Sequence, residues 1–396
     1  MQNSEKVVVR FPPSPTGNLH IGTARTLLFN YLFAQQQGGK IIFRSEDTDT
    51  ERSKKVFEEN IVESLTWLGI GYDEFTRQSE RLEIYKSYLE TMISNGTAYE
   101  AEDKVIRFKN PHKKITFNDV VRGEIEMDTS DLEDFVIAKS LFHPLYHLAV
   151  VVDDHDMGIT HVIRGEDHIS NTPRQILIQD AIGADRPTYA HIPLILGLDR
   201  SKLSKRHGAT AVTEYKEKGY LPEAMVNYLA LLGWNPGTEQ EIFTMQELIE
   251  HFDLAKIQKG GAIFDQKKLD WVNKEHIKRL PLEEQKKIIL KSIEHEPYMV
   301  GEPVLDVEKI VWKKNSKEET ALWLEEAARI IEHDEDLMAY AERVGKGNVL
   351  WPIRYALTGA EASPDPLTIL EFLGKEKSLS RLRNAIMVLK DEHHKQ

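Results

Sequence analysis

The stretch VVVRFPPSPTGNLHIGTARTLLFNYLFAQQQGGKIIFR, Val7 to Arg44, decides the fold. Val7-Val8-Val9-Arg10-Phe11 is a run of β-branched and apolar residues that reads as a buried strand. Pro12, Pro13 and Pro15 cannot donate to a ladder, so the strand ends there, and Gly17 loosens the loop. From His20 to Gln37, Ala24, Leu27, Leu28, Tyr31, Leu32 and Ala34 recur on the broad apolar face of a helix. Gly38-Gly39 ends it, and Lys40-Ile41-Ile42-Phe43-Arg44 is the next strand. Strand, loop, helix and strand make the unit of a parallel α/β sheet. The loop after the first strand then lies at the carboxyl edge, where such sheets bind ligands.

Outward from this unit, a second helix is expected over about Val56 to Leu68. A polar stretch from Glu100 to Asp131, with a strand-like piece at Val105 to Phe108, reads as a short insertion. Strand-rich sequence returns at Phe135 to Ile137, Leu148 to Val152 and Thr160 to Arg164, followed by a helix over Thr172 to Ala181 and a strand-like Ile192 to Leu196. This is a second α/β half. Beyond about Thr213 the pattern is helical, with candidates at Pro222–Leu232, Met245–His251, Lys267–Asn273, Glu283–Glu294, Lys317–Asp334 and Pro366–Leu373. Glu294 to Glu308 is the least patterned segment and reads as a linker or loop. The expected division is 1–99 and 135–212 for the two catalytic halves, 100–134 for the insertion, and 213–279 and 280–396 for two helical domains. The fold class is therefore an α/β Rossmann-like domain with a short insertion, followed by all-α domains.

Composition excludes several classes. Hydrophobic residues make up 41 % and charged residues 29 % of the 396, an ordinary globular balance. There is no cysteine, which removes disulfides, thiolate catalysis and Cys-ligated zinc. No segment approaches the ~20 apolar residues of a membrane span, and Met1 to Arg10 lacks a leader-like apolar core, so a cytoplasmic location is expected. The net charge of -13 argues against non-specific nucleic-acid binding; a nucleic-acid partner would have to be met by local basic patches.

Two loops carry chemistry. In PSPTGNLHIGTA, Pro13 to Ala24, a helix start offers backbone N–H groups to an anion, and His20 can donate to a phosphate oxygen. In KLSKR, Lys202 to Arg206, three cations surround a serine, which suits a polyphosphate whose charge shifts as pyrophosphate leaves. Taken alone, the first loop reads more readily as a structural turn and the second as a solvated loop or a nucleic-acid contact. His147, His155, His161, His168 and His191, with Asp153, Asp154 and Asp156, fit no standard zinc spacing, so no metal ligands are assigned.

Together, in this order and context, the two loops resemble the signature pair of class I aminoacyl-tRNA synthetases. SEDTDTERS (Ser45 to Ser53), VVVDDHDMGITHVIRGEDHISNTPRQ (Val150 to Gln175) and NYLALLGWNPG (Asn227 to Gly237) are similar to the glutamyl and glutaminyl branch. The ITHVIRGEDHISNTP run looks like the bacterial-type glutamyl-tRNA synthetase family. RYALTG (Arg354 to Gly359) and FLGKEKSLSRL (Phe372 to Leu382) resemble the last anticodon-domain helices, so the likeness covers nearly the whole chain.

The resemblance implies ATP-dependent activation of L-glutamate to an adenylate, then transfer to the terminal adenosine of tRNA(Glu). Mg²⁺ is expected with ATP, no protein-bound zinc is expected, and a monomer with no membrane partner is expected. It implies that Arg10 and Arg164 meet the substrate side-chain carboxylate, that Glu46 takes the ammonium, and that Ser14 and Tyr146 touch the amino acid. Two guanidinium forks suit a carboxylate far better than an amide. The arginines could instead be salt-bridged to Glu46, Asp153 or Asp154, Glu46 could pair with Arg44, and Tyr146 could be a packed core residue. Pro15, Thr16, Gly17, His20 and Gly22, with Lys202, Leu203, Ser204, Lys205 and Arg206, are implied in ATP binding. His20, Lys202 and Lys205 are the implied catalytic residues, Lys205 on the leaving pyrophosphate. The insertion between Tyr99 and Arg122 and the region from Leu280 to Leu350 look shorter than in the family. Three alternatives stay open: an enzyme that also charges tRNA(Gln), a paralogue that glutamylates a modified tRNA base, and, from a different class, a small-molecule adenylyltransferase of the same nucleotide fold or an inactive tRNA-binding module.

Overall fold

A computed structural model of the chain describes residues 6–204, 208, 210–293 and 296–391. It divides into two compact units, residues 1–279 and 280–396.

The first unit opens as the sequence predicts. Strand β1 (Val8–Phe11), helix α1 (Ile21–Gln36) and strand β2 (Lys40–Ser45) are followed by helix α2 (Lys55–Trp67) and strand β3 (Glu74–Arg77). The three strands pair in parallel in the order β1-β2-β3, with Arg10 opposite Ile42 and Arg44 opposite Thr76. Helix α3 (Leu82–Ser94) leads into the insertion. Its strands are β4 (Ala98–Glu100), β5 (Ile106–Phe108), β6 (Lys114–Asp119) and β7 (Gly123–Asp128). The insertion is shared between two sheets. β4 and β5 join β8 (Phe135–Ser140) and β9 (His143–Pro144) in one antiparallel sheet. β6 and β7 form a hairpin whose β6 adds in parallel to a strand of the second half.

One expectation fails here. Leu148 to Val152, read as a strand, lies inside helix α4 (Tyr146–Asp156). Leu148, Ala149, Val150, Val151 and Val152 are all buried, so this stretch of the helix is covered on every side and its 3.6-residue period leaves no trace in the sequence.

The second half continues with β10 (His161–Gly165), α5 (Thr172–Ile182), β11 (Thr188–Ile192) and the short β12 (Ile195–Leu196). Gly183 closes α5 with φ 70°, a left-handed turn that a side chain would strain. β10 and β11 pair in parallel, with Arg164 opposite His191. β1 meets the start of β10 where Thr160 N donates to Val8 O at 3.0 Å and Val8 N donates to Thr160 Oγ1 at 2.9 Å. The two halves thus adjoin at β1 and β10, whose following loops diverge. Such a switch point opens a crevice at the carboxyl ends of the strands.

Helices α6 (Val212–Glu217), α7 (Pro222–Leu231), α8 (Met245–His251) and α9 (Gln266–Lys278) complete this unit, with strand β13 (Ala262–Ile263) pairing with β12. Leu28, Phe29, Met225, Leu229, Trp234 and Leu248 belong to one buried cluster, so α7 and α8 share a core with α1.

The regular elements of the second unit are all helices among its described residues. Its elements are α10 (Leu282–Ile293), α11 (Pro297–Val300), α12 (Val307–Ile310), α13 (Lys317–Glu332), α14 (Leu337–Val344), α15 (Lys346–Thr358), α16 (Pro366–Leu373) and α17 (Lys375–Asp391). Ser316 and Glu319 cap α13 reciprocally. Leu324, Ala327, Ile353, Leu357 and Leu382 form its core. Arg381 is buried there and donates to the carbonyls of Leu357 and Gly301, both at 2.6 Å. Glu294 and His295, at the start of the segment read as a linker, lie outside the described residues.

Candidate active site

A cavity of about 530 Å³ opens at the carboxyl ends of β1, β2 and β10. Arg10, Ser14, His20, Gly22, Glu46, Tyr146, Arg164, Lys202 and Leu203 all line it. Chain direction explains the convergence. Arg10 is one residue before the end of β1, Arg164 one before the end of β10, and Glu46 immediately follows β2.

Behind one wall lies a buried ionic cluster. Arg44 is fully buried, with Nη1 2.7 Å from Asp154 Oδ1, Nη2 3.2 Å from Glu46 Oε1 and Nε 3.6 Å from Asp153 Oδ2. Arg10 Nε reaches the same Asp154 oxygen at 3.4 Å. Asp153 also accepts from Arg81 Nε at 2.7 Å, Gln78 Nε2 at 2.8 Å and the Tyr85 hydroxyl at 2.9 Å. Burial works against the charge on Asp154, but Arg44 and Arg10 outweigh it and hold the carboxyl below its usual range. Glu46 goes the other way: burial dominates its one Arg44 contact and pushes it up to about 7.

Arg164 is held differently. Its Nε donates to Nε2 of His191 at 3.1 Å and its Nη2 to Thr172 Oγ1 at 2.7 Å. His191 Nδ1 lies 2.6 Å from Asp119 Oδ2 at the end of β6. Nη1 of Arg10 and Nη1 of Arg164 are both buried without a hydrogen-bond partner among the described residues. Tyr146 is mostly buried, but its hydroxyl lies 2.9 Å from Nδ1 of His168. Burial, reinforced by Arg164, pushes His168 down to about 4.

At the other end, His20 caps α1: its Nδ1 accepts from Gly22 N at 3.0 Å, so the ring proton sits on Nε2. Burial and Lys202 lower its pKa, which keeps the ring neutral and Nε2 a donor. Lys202 pairs with Asp167 at 3.0 Å. A Cβ on Gly165 would lie 2.5 Å from Asp167 Oδ1, so a side chain there would displace that carboxylate.

Not every expected residue converges. Thr16 and Gly17 line an adjoining cavity of about 200 Å³ that shares Ser14, His20 and Thr23 with the main one, while the Pro15 carbonyl accepts from Lys54 N at 2.9 Å. Ser204 does not line the main cavity, and Lys205 and Arg206 lie outside the described residues. Sequence reading missed Arg25, which lines the cavity from within α1 and donates to Leu232 O at 3.0 Å and to Pro193 O. Its signal was a lone charge between Ala24 and Leu27 on an apolar face. Asp167 and His168, also lining residues, stand in the quoted run after Arg164 and received no role. Among the described residues no cluster of three or more His, Asp or Glu side chains could hold a metal ion, and no helix is long and apolar enough to cross a membrane.

Residues 6–105 and 100–271 match the family model described as tRNA synthetases class I (E and Q), catalytic domain, and residues 293–386 match an anticodon binding domain. The chain is 38 % identical to the glutamate–tRNA ligase of Desulforamulus reducens, covering 96 % of this chain and 99 % of that protein. It is 48 % identical to that of Aquifex aeolicus over 70 % of this chain and 68 % of that one. The alignment to the first spans 479 positions against 396 residues here, so that relative carries segments this chain lacks. A glutamate tRNA ligase from Elizabethkingia meningosepticum, solved in complex with its amino acid, superposes with a TM-score of 0.79 at 32 % identity, covering 98 % of this chain and 100 % of that one.

Proposed function

This chain belongs to the glutamate and glutamine branch of the class I tRNA synthetases, and from that premise we infer how its cavity serves the reaction. The chain attaches glutamate to tRNA(Glu). The α-carboxylate of glutamate attacks the α-phosphorus of ATP and pyrophosphate leaves. The terminal ribose hydroxyl of tRNA then attacks the acyl carbon and AMP leaves.

Arg10 and Arg164 take the side-chain carboxylate of glutamate. The observation that carries this is the pair of buried, unpartnered Nη1 atoms on residues that line one cavity. Each can donate a charge-assisted bond to one carboxylate. Glutamine would turn an NH₂ toward one of them and leave a buried donor unpaired. Glu46 takes the ammonium, while Ser14 and Tyr146 border the amino acid. His20 Nε2 and Lys202 face the phosphates, and Lys205 follows the charge onto pyrophosphate. The protein contributes position and fixed charge rather than covalent chemistry. Mg²⁺ arrives as the counter-ion of ATP and is held by its phosphates. Residues 213–279 act on the tRNA stem and 280–396 on the anticodon. The enzyme works as a cytoplasmic monomer.

The test is glutamate-dependent pyrophosphate exchange, with and without tRNA, followed by charging of separately purified tRNA species. Exchange that depends on glutamate and charging of tRNA(Glu) are expected. Charging of tRNA(Gln) as well would mark a broader specificity. The match of residues 293–386 to an anticodon binding domain speaks against the base-modifying paralogue.

A pH limb follows from Glu46. Its carboxyl must be ionised to accept an ammonium, and in the free protein burial pushes it to about 7. The plot of kcat/KM for glutamate against pH reports the free enzyme, so it should bend near neutrality and fall about tenfold per unit below. In Glu46→Gln the limb should vanish and KM for glutamate should rise. A limb that persists in Glu46→Gln would assign it to another group.

A further inference from the structure

We propose that Asp119 and His191 are positioning residues for Arg164. Asp119 fixes His191 as the Nδ1–H tautomer, and Nε2 is then the acceptor that aims the guanidinium. The proposal rests on the reading of Arg164 as a carboxylate ligand and deepens it.

The geometry runs in one buried line. Asp119 and His191 are 3 % and 0 % exposed, and Arg164 is 5 % exposed. Asp119 Oδ1 accepts the backbone N–H groups of Val121 and Arg122 at 2.9 and 2.8 Å, which settles the rotamer of the carboxylate. Oδ2 then faces both the N–H of His191 at 3.0 Å and its Nδ1 at 2.6 Å. An acceptor-only group at that distance places the ring proton on Nδ1. Burial, with Arg164 nearby, lowers the pKa of His191 against the pull of Asp119, so the ring stays neutral and Nε2 keeps its lone pair. Arg164 Nε is tied to that lone pair and Nη2 to Thr172, and Nη1 is left for the amino acid. The parallel register sets Arg164 directly opposite His191, and β6 brings Asp119 opposite Tyr189, the neighbour but one. The insertion hairpin therefore has a function at the amino-acid end of the cavity.

Asp119→Asn tests the tautomer without changing shape. Its oxygen would stay on the amides of Val121 and Arg122, with the His191 N–H 3.3 Å from it, and its NH₂ would face Nδ1. The proton would move to Nε2, opposing the Nε–H of Arg164. His191→Phe removes the acceptor but keeps a ring, whereas His191→Gln restores an acceptor. Pyrophosphate exchange, read as separate KM values for glutamate and ATP, is measured for these three and for Arg164→Ala. The expectation is an increase of about tenfold in KM for glutamate in Asp119→Asn and His191→Phe, the scale of one lost bond to a charged group. KM for ATP should stay within about twofold, and His191→Gln should lie nearer the parent than His191→Phe. If Arg164→Ala raises KM for glutamate selectively while the Asp119 and His191 variants affect glutamate and ATP alike, the relay is wrong and the clamp stands. If Arg164→Ala shows no selectivity, the clamp fails and the relay falls with it.

Discussion

Replacing Arg10 with Ala is expected to lower glutamate activation by about 30-fold or more while leaving the poor activation of glutamine nearly unchanged. The lower bound corresponds to about 2 kcal/mol, the small end of the range for truncating one member of a buried, hydrogen-bonded charge pair. Arg10 is 2 % exposed, lines the cavity and has an unpartnered Nη1 among the described residues. Without it the substrate carboxylate would be desolvated and half paired, whereas a neutral carboxamide loses much less. Arg164→Ala should shift the ratio in the same direction. The fold should survive the Arg10 change, because Asp154 keeps its 2.7 Å contact with Arg44. A purely structural Arg10 makes the opposite forecast: a lower melting temperature and equal losses for both amino acids. Measuring kcat/KM for each amino acid alongside melting temperature separates the two, and equal losses would sink the clamp.

The second large effect is on stability. Arg44→Met should destabilise the first unit by about 3–5 kcal/mol, the usual cost of removing one partner from a buried ion pair. Arg44 is the one cation that touches Glu46, Asp153 and Asp154 together among the described residues. Its own charge is disfavoured by burial, but Asp154, Glu46 and Asp153 outweigh that and raise its pKa. Removing it leaves Asp154 with the longer 3.4 Å contact to Arg10. The sign with pH is fixed. Asp154 has a lowered folded pKa, so its contribution is present above its unfolded value and is lost as pH falls through the folded one. In the variant the uncompensated carboxyl is pushed upward instead and penalises folding wherever it must ionise. The gap in melting temperature between parent and variant should therefore be wider at pH 8 than at pH 5. A gap that is small at both would mean the cluster is solvated or repacks around the methionine.

Much of this cluster serves the cavity without touching its contents. Asp154 draws on two arginines, and Asp153 fastens Arg81, Gln78 and Tyr85 behind the wall. The paired groups fix Arg10 and Glu46 before substrate arrives, so binding need not order them.

What the sequence alone determined is local. The run from Val7 to Arg44 sets a strand, a proline-stopped loop, a helix and a strand, because β-branching, ring closure and 3.6-residue spacing act within a few residues. Arg10, Glu46 and Arg164 were named through the family resemblance of the motifs around them, and strand direction accounts for their meeting at one edge. Tertiary structure decided what depends on distant partners. Helix α4 looked like a strand because packing on every side erases the polar face that marks a helix. Arg10 meets an acid 144 residues away, Arg25 a carbonyl 207 away, and His191 a carboxylate 72 away. No spacing rule connects such pairs. Their hydrogen bonds form only once the sheet has set its strand order, so the tautomer of His191 and the aim of Arg164 belong to the fold rather than to any motif.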